Sequence, residues 1–144
     1  RAQLKRLLES QKMTEQEAEC IRIRDIRRFV ESGLGQRMKK AAMKKHLYRE
    51  QPFVIQRNAS MLDDGWKNET VLVQGIIDAY FMEEEEIVLV DYKTDRVKRG
   101  QEQKLIDLYH VQLEDYARAL ERMTGKRVKE KIIYSFTLQK EILL

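Results

Sequence analysis

The sequence holds one cysteine, one proline and no run of apolar residues long enough to cross a membrane. A lone Cys20 cannot close an internal disulfide, cannot supply a zinc site built from several thiolates, and fits a reducing compartment. A spanning helix needs roughly 18 or more apolar residues in a row, so none is expected. The start, Arg1-Ala2-Gln3-Leu4-Lys5, has no apolar block behind it and therefore no secretory leader pattern. It also lacks an initiating methionine, and the chain reads as a piece of something longer. Pro52 is the only proline and Gly33 the first glycine, so residues 1–46 read as helical.

What is present is a chain of single-domain size, 144 residues, with 42% apolar and 36% charged residues. That is enough apolar material for a core and enough charge for helices solvated on one face. The net charge of +4 leans weakly towards an anionic partner.

Thr14-x-x-Glu17 is a capping-box pattern. Ala18, Ile21, Ile26, Phe29 and Val30 recur near helical spacing, and Gly33 and Gly35 are expected to stop that helix. A second helix is expected from Gln36 to about His46, carrying Arg37, Lys39, Lys40, Lys44 and Lys45, with Pro52 breaking the pattern. The period then changes. Phe53, Ile55 and Arg57 begin a short strand, Asp63-Asp64-Gly65 signals a turn, and Val71 to Phe81 make a strong strand with Gly75 inside it. Glu83 to Glu86 read as a charged turn. Ile87-Val88-Leu89-Val90 is the unbroken apolar run of a strand covered on both faces. A helix is expected over about 101–124, stopped at Gly125, and a last strand at Ile132–Phe136. The strand–helix–strand step implies a parallel crossover. No repeat or low-complexity linker divides the chain, so the expectation is one α/β domain over 1–144, helical over 1–46 with its core over 47–144.

The hairpin carries the chemistry. Paired positions in an antiparallel hairpin have a constant sum, and a turn centred between Glu84 and Glu85 sets Asp78 opposite Asp91. Directly opposed Cβ atoms lie roughly 4.5–5.5 Å apart, a distance at which two carboxylates repel. A divalent cation removes the repulsion, and hard carboxylate oxygens suit Mg²⁺ or Mn²⁺. Lys93, two residues past Asp91, points to the same face. The set suggests phosphodiester hydrolysis, with Lys93 orienting a water or neutralising charge on phosphorus. A one-residue slip would separate the aspartates, and a bare D…DxK also describes a solvated strand end with an ion-paired lysine. On the following helix Tyr109, Gln112 and Tyr116 share one face, in a stripe otherwise made of Leu105, Leu108, Leu113, Ala117 and Leu120. A glutamine there needs a partner, either at the carboxylate site or at a strand end.

Together, Gly75-Ile76-Ile77-Asp78, Val90-Asp91-Tyr92-Lys93-Thr94 and Tyr109-x-x-Gln112-Leu113-x-x-Tyr116 resemble the RecB-like branch of the PD-(D/E)XK nuclease superfamily. The spelling is closest to the nuclease domains of AddAB-type bacterial helicase–nucleases, and the match covers about residues 47–137. The resemblance implies a restriction-endonuclease-like α/β core, a central mixed sheet flanked by helices. It implies Asp78 and Asp91 as metal ligands with the Tyr92 backbone carbonyl as a third, Lys93 as the catalytic lysine, and Gln112 and Tyr116 as a supporting pair, with Tyr109 on their face. Arg49-Glu50-x-Pro52-Phe53 resembles the family's segment before its first strand, with Glu50 a candidate to face the site or simply to be solvated.

One element of the family pattern is missing: a metal-ligating histidine on an upstream helix. His46 sits in a basic helix end with the wrong neighbours, and the His110 side chain should point away from Gln112; both are expected to be ordinary surface or packing histidines, and the ligand is expected before Arg1. The implied activity is Mg²⁺-dependent exonuclease cleavage of single-stranded DNA, delivered by the ATP-driven helicase of the parent chain in double-strand-break repair, beside a second, AddB-like subunit. Arg96, Lys98, Arg99 and Lys104 follow the catalytic strand and could guide a phosphate backbone. Lys39, Lys40, Lys44 and Lys45 form a second basic patch or merely a solvated helix face. Trp66 could stack on a base or pack on the sheet. Two other readings stay open: a nuclease-fold domain that binds DNA or a partner without cutting, and a stand-alone site-specific endonuclease.

Overall fold

A computed structural model describes residues 23–58 and 70–144. In chain order these form α1 (Ile23–Glu31), α2 (Gly33–Met43), β1 (Leu47–Asn58), β2 (Thr70–Glu83), β3 (Glu86–Lys93), α3 (Glu102–Thr124), β4 (Val128–Ser135) and β5 (Lys140–Leu143). The strands make one mixed sheet in the order β1-β2-β3-β4-β5. All neighbours are antiparallel except β3 and β4, which run parallel across the α3 crossover. This is the α/β sheet flanked by helices that the sequence implied.

The helices cover opposite faces. Leu105, Leu113 and Leu120 of α3 pack with Ile77, Leu89 and Ile133. Ile26, Phe29, Leu34 and Met38 of α1 and α2 pack with Phe81, Val88, Val90 and Tyr134. The run Ile87–Val90 is therefore fully buried, because strand β3 has a helix layer on each side.

Several boundaries differ from expectation. The break between the first two helices is Ser32, whose side chain accepts from the Gly35 N–H at 3.0 Å. Serine is a good N-cap, and Gly33 and Gly35 lie inside α2 rather than stopping α1. A Cβ on Gly35 would stand 2.2 Å from the Phe29 carbonyl oxygen, so glycine allows the close approach of the two helices. Strand β1 begins at Leu47 and runs through Pro52; it is an edge strand, where proline costs no ladder bond. Strand β5 has no counterpart among the expected elements. Leu108 is 59% exposed and lies off the α3 core stripe. The Thr14-x-x-Glu17 cap, the Asp63-Asp64-Gly65 turn and Trp66 lie outside the described residues. Gly125, at φ 70, ends α3 as expected.

Strand β2 carries one irregularity. Along it, Val73 and Ile77 face α3, whereas Ala79 and Phe81 face α1 and α2, and Tyr80 returns to the α3 side. The strict alternation of a strand thus changes phase once, at Asp78. On β1 the pairs Arg49–Ala79 and Gln51–Ile77 leave Glu50 opposite Asp78, with φ 52. A non-glycine residue in that region is strained.

Candidate functional site

The turn joining β2 to β3 consists of Glu84 and Glu85, both at positive φ, the backbone of a two-residue hairpin. It sets the rungs Glu83–Glu86 through Ala79–Val90. The paired ladder ends at Ala79–Val90; its register, continued by one step, sets Asp78 opposite Asp91, and Asp78 Oδ2 accepts the Tyr92 N–H at 3.0 Å.

Both aspartates are buried, Asp78 at 8% and Asp91 at 2% exposure. Lys93 Nζ stands 2.7 Å from Asp91 Oδ2, yet that buried oxygen receives no aligned hydrogen bond. Burial first, and the Asp78 charge second, push the Asp91 carboxyl up to about 7 against the pull of Lys93. One ammonium does not balance two carboxylates in a dry site. A divalent cation fits this donor set: hard oxygens, excess negative charge and a carboxylate oxygen short of donors. Among the described residues no third His, Cys, Asp or Glu side chain completes a cluster with them.

Helix α3 supplies the roof. Lys93 Nζ donates to Gln112 Oε1 at 3.0 Å and lies 4.0 Å from the centre of the Tyr109 ring, so the glutamine's partner is the lysine. The Tyr109 hydroxyl donates to Asp95 Oδ2 at 2.7 Å. Tyr116 meets Phe53 edge-on at 5.0 Å. Its hydroxyl is pushed well above the usual tyrosine range by burial first and then by the charges of Asp91 and Asp78. The structure therefore brings Asp78, Asp91, Lys93, Tyr109, Gln112 and Tyr116 together on the α3 face.

Other candidates stand apart. Glu50 is level with Asp78 but exposed. Arg96, Lys98 and Arg99 are exposed on the loop after β3, and Lys104 is exposed near the start of α3. Lys39, Lys40, Lys44 and Lys45 are exposed at the hairpin-turn end of the sheet, and His46 and His110 are at the surface. Sequence reasoning missed Asp95. Its signal was faint: a second carboxylate two residues past Lys93, with a tyrosine on the facing helix.

A model of the PD-(D/E)XK nuclease superfamily matches residues 1–142. An ATP-dependent helicase/nuclease subunit from Clostridium novyi is 39% identical over 145 residues, which take in 97% of this chain and 12% of that protein. The protein of the same name from Clostridium perfringens is 38% identical over 148 residues, covering 99% and 12%. That from Acetivibrio thermocellus is 44% identical over 140 residues, covering 94% and 11%. The chain thus spans about an eighth of the length of these relatives.

Proposed function

The chain belongs to the PD-(D/E)XK nuclease superfamily, and from that premise we propose that it is a divalent-metal-dependent DNA nuclease module whose working residues are Asp78, Asp91 and Lys93. The observation that carries this reading is the buried, opposed pair of aspartates with the Lys93 ammonium 2.7 Å from one of them. A sheet gains no stability from two facing carboxylates, so their retention in the core argues for a bound cation.

Asp78 and Asp91 would hold Mg²⁺, or Mn²⁺ in its stead. The Tyr92 carbonyl is a third candidate, because in an antiparallel strand it leaves on the same side as the N–H given to Asp78. When bound, the cation supplies Lewis acidity to the phosphodiester. The Lys93 ammonium, held by Gln112, meets negative charge developing on phosphorus, where a preorganised cation in a water-poor site is most effective. Tyr116, protonated at all working pH values, walls the site on the α3 side. The exposed Arg96, Lys98, Arg99 and Lys104 would lead a phosphate backbone to it. The names of the relatives join a nuclease to an ATP-dependent helicase; beyond those names, our finer proposal is an exonuclease acting on a single strand delivered by a helicase motor in double-strand-break repair, in the bacterial cytoplasm beside an AddB-like partner. No helix among the described residues is long and apolar enough to cross a membrane.

The test is cleavage of labelled single-stranded DNA by the intact protein, with cation binding followed by calorimetry. Asp78→Ala and Asp91→Ala should lose cleavage and weaken cation binding while far-UV dichroism stays unchanged. Lys93→Ala should lose at least about a hundredfold in kcat and keep the cation. Metal-dependent cleavage surviving in Asp91→Ala would sink the assignment. Binding of DNA without cleavage by the wild type would favour the non-cutting alternative.

A further inference from the structure

Resting on the site reading above, we propose that Asp95 is a positioning residue: it fixes the Tyr109 ring as the platform that holds the Lys93 ammonium over the two aspartates. A lysine carries a long, rotamer-rich stem, and its head is a poorly directed point charge. Asp91 Oδ2 lies 2.7 Å from that head, and Gln112 Oε1 accepts from it at 3.0 Å. The third contact is the Tyr109 face, 4.0 Å away, close enough for a cation–π attraction.

That platform is itself anchored. The Tyr109 hydroxyl donates to Asp95 Oδ2 at 2.7 Å, a bond to a charged acceptor and so stronger than a neutral one. Donating to a carboxylate also enriches the ring in electron density, which strengthens its hold on a cation. Asp95 is pinned through its backbone, since the Thr137 hydroxyl donates to its carbonyl at 2.7 Å. A chain of contacts therefore runs from the β4–β5 turn through Asp95 and Tyr109 to Lys93. Among the described residues, the Tyr109 ring is the link between Asp95 and the reacting groups.

The test pairs kinetics with a readout that needs no turnover, both on the intact protein. Cleavage of a labelled single-stranded oligonucleotide in Mg²⁺ is measured for Asp95→Ala, Asp95→Asn, Tyr109→Phe and the Asp95→Ala/Tyr109→Phe pair. Asp95→Ala and Tyr109→Phe should each lower kcat about tenfold with KM unchanged, and the pair should be no worse than either alone. Asp95→Asn should recover most of the rate, because its amide oxygen accepts the same bond. In protein labelled with ¹³C at the lysine ε carbon, the Lys93 methylene, assigned by its loss in Lys93→Arg, should show an upfield ring-current shift that shrinks in Asp95→Ala. Additive losses in the pair, a rise in KM with kcat intact, or an unmoved Lys93 resonance in Asp95→Ala would each overturn the proposal. If the wild type cuts nothing while the Lys93 resonance behaves as expected, the nuclease reading fails and the positioning of Lys93 stands.

Discussion

Asp91 shows at the scale of one residue how function opposes stability. Its folded carboxyl titrates near 7 against an ordinary 3.8, so the folded state keeps a proton that the unfolded chain has lost. Its contribution is present below the ordinary value and lost as pH rises through the folded one. Glu83 behaves in the opposite sense: Arg37 holds it down to about 2, so its contribution is lost only as pH falls below about 4.5. Among the described residues, Asp91 is the group whose shift falls between pH 4.5 and 7. Thermal unfolding in a chelator should show Tm falling across that window. Asp91→Asn should flatten the slope, and Mg²⁺ should restore Tm at pH 7 and above. A flat wild-type profile would mean that the buried pair is not strained. Asp78, Asp91 and Lys93 were legible because two aspartates and a lysine follow from hairpin arithmetic. Asp95 was not, because its meaning depends on Tyr109, fourteen residues on, and on the tilt of a helix that no periodicity reports.

The elements themselves were readable where one force dominates. The apolar run of β3, the stop of α3 at Gly125 and the hairpin register each have a single local cause, and each is found in the structure. Failures fell where two causes compete. Pro52 argues against a strand but is harmless at a sheet edge, and β5 is only four residues long. Two glycines near a helix end suggest a stop, whereas the α1–α2 break is capped by Ser32 and needs Gly35 for contact. This separates two substitutions that look alike in sequence. Gly35→Ala would press a methyl into the Phe29 carbonyl and should cost about 2 kcal/mol or more. Gly33→Ala meets only the Glu141 carboxylate at 3.6 Å and should leave stability within about 0.5 kcal/mol. Urea unfolding of both variants checks the contrast; equal losses would mean that the helices can separate freely.

Over the whole molecule, charge and chemistry occupy different ends of the sheet. The aspartates lie just past the last rung of the β2–β3 ladder, and Arg96, Lys98, Arg99 and Lys104 follow in the chain after β3. Lys40 of α2 and Lys44 just past it line a cleft at the hairpin-turn end, lined also by Glu83, Glu84, Glu85 and Lys126. The first group should therefore govern the grip on DNA. Reversing Lys98 and Arg99 to glutamate should weaken single-strand binding and flatten its dependence on log salt by about 0.7 per lost contact. The same change at Lys39 and Lys40 should leave both unchanged. Fluorescence anisotropy across a salt series distinguishes them, and equal effects would extend the DNA path over α2.

Pro52 has a further consequence, for life in a crowded cell. It sits on β1 at the rim of the sheet, opposite Ile76 and near the exposed Val54 and Leu72. A regular rim with apolar side chains invites another chain to add itself as the next strand. The missing N–H of Pro52 and the bent backbone at Glu50 make that rim a poor template. Pro52→Val should leave cleavage intact yet let the protein self-associate as its concentration rises, visible by light scattering. The residue that looked like a break in the fold would then be a guard against its unwanted extension.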